Sequence, residues 1–169
     1  MFSMIEVLRI ENLALVESVE LEFGPGLNVL TGETGAGKSI VLAALALLTG
    51  GRAAADTLRS GTEEGVVEAL FRMDGHEDVA RALARRGLAD EPSEDSESEG
   101  PAELIVRRTL HANGRSRARV GGQLVPVSTL VELFGGQLEI SSQHGSQALR
   151  SPDVHAEALD AFANKTSVR

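Results

Sequence analysis

Eight residues constrain this chain more than any others: GETGAGKS, from Gly32 to Ser39. Gly32, Gly37, Lys38 and Ser39 meet the spacing of glycine, four residues, glycine, lysine and serine or threonine that allows a backbone to curl around phosphate. The flanks suit such a loop. LNVLTG at 27–32 is a short apolar run that predicts a buried strand entering it, and KSIVLAALALL from Lys38 to Leu48 predicts a helix leaving it. That helix is apolar almost all round, as expected of one covered by protein over most of its surface. Gly32, Gly35 and Gly37 free the backbone to aim successive N–H groups inward, and the helix N-terminus adds its positive dipole. Lys38 supplies a mobile positive charge to β- and γ-phosphate oxygens, and the Ser39 hydroxyl suits Mg²⁺. The expected binding segment is Gly32, Glu33, Thr34, Gly35, Ala36, Gly37, Lys38, Ser39 and Ile40. A loop of this kind identifies phosphate binding but leaves the base, the nucleophile and the purpose of hydrolysis open.

Lysine is otherwise nearly absent. Of 16 basic residues only Lys38 and Lys165 are lysines, so one of the two sits inside the glycine loop. The 25 acidic residues give a net charge of −9, and a field of that sign does not draw in a polyanion such as DNA. Any nucleic-acid contact must therefore be local. With 169 residues, 42% of them apolar, the chain is long enough for one ordinary domain with a real core. No apolar run approaches the roughly 20 residues needed to span a bilayer, and the N-terminus alternates apolar with polar residues, so secretion and membrane insertion are not expected. Cysteine is absent, which excludes disulfides and thiolate zinc sites and fits a reducing cytoplasm.

Residues 4–10, MIEVLRI, and 15–23, LVESVELEF, alternate at period two and predict an antiparallel pair, with Glu11 and Asn12 beginning the break between them. Gly24, Pro25 and Gly26 predict a turn, and Gly50-Gly51 a stop to the helix. VVEALFRM at 66–73 predicts another strand, and His76 to Gly87 a short Arg-rich amphipathic helix. Residues 90–99, DEPSEDSESE, hold six acids among ten residues and no apolar side chain, so they predict a mobile surface loop. ELIVRRTL at 103–110 and RSRARV at 115–120 flank Ala112-Asn113-Gly114 and predict a hairpin. Arg107, Arg108, Arg115, Arg117 and Arg119 make it the one basic cluster, suited either to DNA phosphates or to pairing with nearby acids. Ser128 to Phe134 predicts a short helix, Gln137 to Ile140 a short strand, SSQHGSQ at 141–147 a polar loop and Asp153 to Ala163 a last helix.

The glycine loop and its surroundings, IENLALVESVELEFGPGLNVLTGETGAGKSIVLAALALLTGGRA, resemble the start of the RecN family of SMC-like bacterial DNA repair ATPases. The similarity continues through GRSRARVGGQLVPVSTL at 114–130 and LEISSQHGSQALRSPDVHAEALDAF at 138–162. The resemblance implies an α/β P-loop NTPase fold of ABC/SMC-head type. Residues 1–163 would form the N-terminal lobe, an antiparallel β subdomain beside a P-loop strand–helix unit, and 164–169 a tail or the start of a coiled-coil connection. It also implies ATP and Mg²⁺ as cofactors, with Lys38 and Gln143 in catalysis and Ser39 and Gln143 toward the metal. The implied partners are a C-terminal lobe of the same head, a second head that joins on ATP binding, and DNA, double-stranded or at broken ends. A bacterial cytoplasm, close to the nucleoid, is the implied location. His144 receives no role, and Arg52 either approaches the nucleotide or the opposing head, or caps carbonyls at the helix end from the surface.

Two family motifs have no match. No apolar run ends in Asp and a catalytic Glu, and neither LLTGGR at 47–52 nor LFGGQ at 133–137 reproduces the ABC signature; the second has Phe134 at the serine position. In the family both belong to the lobe beyond the coiled coil, so hydrolysis is expected of the intact head and little of this chain alone. The competing readings are a small P-loop kinase, with the 107–119 arginines as a lid, and a fragment that binds nucleotide without catalysis. The two antiparallel strands before the loop argue against the kinase.

Overall fold

The computed structural model describes residues 5–31, 37–54, 56–73, 77–88 and 103–135, all within one compact unit, Met1–Gln137. Its frame is a six-stranded sheet in the order β2-β1-β3-β4-β5-β6, with every neighbouring pair antiparallel. The strands are β1 (Ile5–Leu13), β2 (Val16–Glu22), β3 (Glu64–Arg72), β4 (Glu103–His111), β5 (Ser116–Val120) and β6 (Gln123–Val125). Three helices, α1 (Lys38–Leu48), α2 (Glu77–Ala84) and α3 (Val127–Phe134), complete the described elements.

Side chains alternate across a strand, and here the alternation separates an apolar face from a charged one. Leu8 and Ile10 of β1, Val67, Ala69 and Phe71 of β3, Leu104, Val106 and Leu110 of β4, and Ala118 and Val120 of β5 are buried. Ile40, Ala44, Leu47 and Leu48 of α1 and Leu130, Leu133 and Phe134 of α3 complete the same core, where the Phe71 and Phe134 rings stack with centroids 4.9 Å apart. The opposite face bears Arg9, Glu11, Glu68, Arg107, Arg117 and Arg119 and lies open.

The predicted hairpins form, with shifted edges. β1 continues through Glu11 and Asn12 to Leu13, so the break falls at Ala14 and Leu15 instead. Asn12 (φ 53°) and Ala14 (φ 48°) absorb the turn in the left-handed region, held by Asn12 Nδ2 donating to Glu64 O at 3.1 Å and Ala14 N–H to Thr57 O at 2.9 Å. The Asn113-Gly114 turn joins β4 to β5 as expected, with Gly114 at φ 80°. The predicted helices at 76–87 and 128–134 appear as α2 and α3. β6 escaped notice because three residues are too few to show a period.

The largest departure is the run before the glycine loop. Residues 27–31 form no strand, and Leu27, Val29 and Leu30 are 90%, 70% and 42% exposed. An apolar strand needs a ladder on at least one side, and no described strand runs beside this one. α1 departs from expectation in the same way. It buries the face of Ile40, Ala44, Leu47 and Leu48 while Leu42 stands exposed, so it is covered on one side and not all round. The expectations at 90–99, Gln137–Ile140, 141–147 and Asp153–Ala163 lie outside the described residues.

Candidate phosphate site

α1 begins where the sequence places it. Gly37 is its N-cap (φ −92°, ψ −48°), and Val41 N–H donates to Gly37 O at 3.2 Å. Among the described residues no side chain caps this end, and its first turn contains no acid. The first N–H groups of a helix have no partner within it, so an uncapped N-terminus beside a lysine and a serine has donors to offer an anion. Ser39 is exposed and Lys38 half-buried, whereas Ile40 is buried and fixes the first turn to the core. Ile40 thus serves as an anchor, with no more than its backbone available to a ligand. Beside this turn an apolar cleft opens, walled by Ile10, Val19, Leu21, Leu30 and Val41 and reaching Gly37 and Lys38. Gly32, Glu33, Thr34, Gly35 and Ala36, and Gln143 with its neighbour His144, lie outside the described residues.

The far end of α1 shows how the sheet holds the helix. Gly51 N–H donates to Ala46 O at 2.8 Å and Gly50 N–H to Leu47 O at 3.1 Å, a Schellman closure with Gly50 at φ 90°. A Cβ on Gly50 would stand 2.4 Å from Val131 Cγ2 of α3, so glycine here allows both the turn and the approach of the next helix. Arg108 of β4, only 4% exposed, reaches across from the sheet. Its Nη1 donates to Leu47 O at 2.7 Å and to Gly51 O at 2.6 Å, and its Nε to Ser116 Oγ at 2.9 Å. A cation at a helix C-terminus also meets the negative end of the dipole. Burial lowers the Arg108 pKa because desolvation opposes its charge, and these three acceptors offset that cost.

Arg108 does not belong to the basic cluster that its position in the sequence suggests. The alternation Leu104, Val106, Arg108, Leu110 puts it on the apolar face. Its immediate neighbour Arg107 points the other way and pairs with Glu68 at 3.3 Å. Arg117 and Arg119 share Arg107's face, opposite the helices. A lid over the glycine loop cannot be built from them, which removes the support for the kinase reading. Arg52 is exposed, and it is Arg108 that donates to the carbonyls at the end of α1.

Residues 8–148 match the family model described as an AAA domain. The chain is 36% identical to the DNA repair protein RecN of Bacillus subtilis over 95% of its own length and 26% of that protein's. To RecN of Vibrio cholerae it is 39% identical over 95% of itself and 27% of the relative. It thus spans about a quarter of the length of these relatives. A solved SMC ATPase chain, from work on ATP-driven dimerisation and DNA-stimulated activation, superposes with a TM-score of 0.61 at 19% identity, covering 95% of this chain and 99% of that one. That likeness establishes the fold, a P-loop α/β head lobe with an antiparallel sheet. With its glycine-loop helix anchored on that sheet, the chain belongs to the AAA-domain family, and within it resembles the RecN repair proteins.

Proposed function

We propose that this chain is the ATP-binding N-terminal lobe of an SMC-like ATPase head that acts in the repair and recombination of broken DNA. The observation that carries this reading is the uncapped N-terminus of α1, with Gly37, Lys38 and Ser39 at its first turn and Ile40 locking that turn into the core. Lys38 would neutralise the β- and γ-phosphates, the first-turn N–H groups would donate to their oxygens, and Ser39, with its exposed hydroxyl, would hold Mg²⁺. A Mg²⁺ held by Ser39 would supply positive charge beside the phosphates. Gln143, by resemblance, would reach the metal and place the attacking water.

Hydrolysis needs groups this sequence does not supply, and the exposed apolar residues suggest where they enter. Leu27, Val29, Leu30 and Leu42 flank the glycine loop, and an apolar strip of this kind suits a strand and helix layer from a C-terminal lobe of the same head. ATP would then be enclosed between two such heads, so that binding closes a dimer and hydrolysis opens it. Among the described residues no helix is long and apolar enough to cross a membrane, and a bacterial cytoplasmic site near the nucleoid is part of the proposal.

The test is ATP turnover with Mg²⁺ by the chain alone and after mixing with a separately produced C-terminal lobe of a RecN-like protein, with Lys38→Ala as control. Turnover confined to the mixture and lost in the control is the expected result. Phosphate transfer to a small acceptor by the chain alone would overturn the reading.

A further inference from the structure

The open face of the sheet has a gradient of charge that the nucleotide site does not use. At the β2 side its side chains are largely acidic: Glu20 and Glu22 of β2 and Glu11 of β1, with Arg9 between them and paired to Glu11 at 2.6 Å. In the middle, Glu68 takes Arg107, and Glu64 faces His111 at 3.5 Å. At the β5 side the balance reverses. Arg119 lies directly opposite Arg107, Arg117 opposite Thr109, and Arg115 is exposed at the start of β5. Among the described residues neither Arg117 nor Arg119 lies within ion-pair distance of a carboxylate. Glu64, Arg107, Thr109, His111, Arg117 and Arg119 together line a shallow cleft.

Like charges directly opposite each other on neighbouring strands destabilise a sheet; Arg107 facing Arg119 is offset by a half-exposed pair with Glu68 and a long bond from Arg119 Nη1 to Gly122 O at 3.4 Å, whereas Arg117 has no carboxylate partner among the described residues. Neither Arg107 nor Arg119 serves the core, because Arg108 alone of the β4 pair turns inward. We infer that this side of the open face, centred on Arg117 and Arg119, docks the sugar–phosphate backbone of duplex nucleic acid. This deepens the DNA-associated reading above by naming the surface, and it is independent of the phosphate site, which lies at the N-terminus of a helix on the opposite face.

Three features select a duplex backbone over other anions. Arginines at alternate positions of one strand stand about 6.8 Å apart on one face, a row that meets successive charges of a polymer and not one small ion. Among the described residues the face carries no Phe, Tyr or Trp, the stacking platforms on which single strands are held. Finally, the acidic β1–β2 side would repel a polyanion laid across the whole sheet, so a rigid duplex would lie along β4, β5 and β6.

The test is binding of a short labelled DNA duplex to the 169-residue chain at a series of salt concentrations. The double variant Arg117→Ala/Arg119→Ala is compared with Arg85→Ala/Arg86→Ala, which removes equal charge from the turn that ends α2 on the helical side. The arginine pair on β5 should weaken binding about tenfold at low salt and reduce the slope of log K against log salt by about 1.8, while the α2 pair changes either little. Thermal stabilisation by ATP with Mg²⁺ is measured in parallel. A wild-type chain stabilised by ATP yet unable to bind duplex would overturn the surface and leave the nucleotide reading standing. Equal losses in the two double variants would overturn it too, since only overall charge would then matter. Displacement of duplex by polyglutamate at equal charge concentration would point to an acidic protein partner and reject the inference as well.

Discussion

Arg107 and Arg108 are adjacent, chemically identical and opposite in role, and the difference follows from the pleat of β4. Arg108 is inward, dry and bonded to the last carbonyls of α1. Replacing it with alanine leaves Gly51 O without its side-chain donor and Leu47 O with only the Gly50 N–H, and the expected cost is about 3 kcal/mol, read from urea unfolding. Arg108→Lys should recover only part of this, because an ammonium lacks the planar fork that spans two carbonyls and a hydroxyl. Arg107→Ala, which loses a half-exposed pair with Glu68, should change stability by less than about 1 kcal/mol. Gly50→Ala should cost about 2 kcal/mol or more, from the left-handed backbone and from the contact with Val131, and its thermal midpoint would show this.

At the scale of elements, burial separates two kinds of apolar segment that look alike in sequence. The strands β1, β3 and β4 have their ladders, whereas 27–31 has none among the described strands. Leu27→Ser and Val29→Ser should therefore alter the stability of this chain by no more than about 0.5 kcal/mol, against about 3–5 kcal/mol for Phe71→Ala in the core. Thermal unfolding of the three variants checks this, and the two surface changes should weaken association with a C-terminal lobe. Period-two alternation made the β1–β2 and β4–β5 hairpins legible, because one face of each is apolar, and Asn113-Gly114 marked its turn. The start and glycine stop of α1 were equally legible from Lys38 and Gly50. What alternation cannot report is whether a partner strand exists, so 27–31 read as buried when its apolar residues lie open. Nor does composition distinguish a buried arginine from an exposed one. The phase of Arg108 in β4, shared with Leu104, Val106 and Leu110, decides its side of the sheet, and its charge does not.

Taken whole, the described unit presents its functional groups on two surfaces separated by the sheet. On the helical side stands the uncapped turn of α1; on the other lie the β5 arginines. A net charge of −9 makes the second surface local and sensitive to salt. The first draws on helix geometry and one lysine, so it should depend far less on ionic strength. Arg108, bonded to the C-terminal end of α1, is the polar link between the strands and the helix that presents the loop. The central claim is that the first turn of α1 receives nucleotide phosphates, and calorimetric titration of ATP with Mg²⁺ into the wild-type chain and Lys38→Ala tests it most directly. Saturable binding by the wild type, weakened at least about tenfold in the variant, is the predicted result. An absence of binding to the wild type, or equal affinity for both proteins, would contradict it.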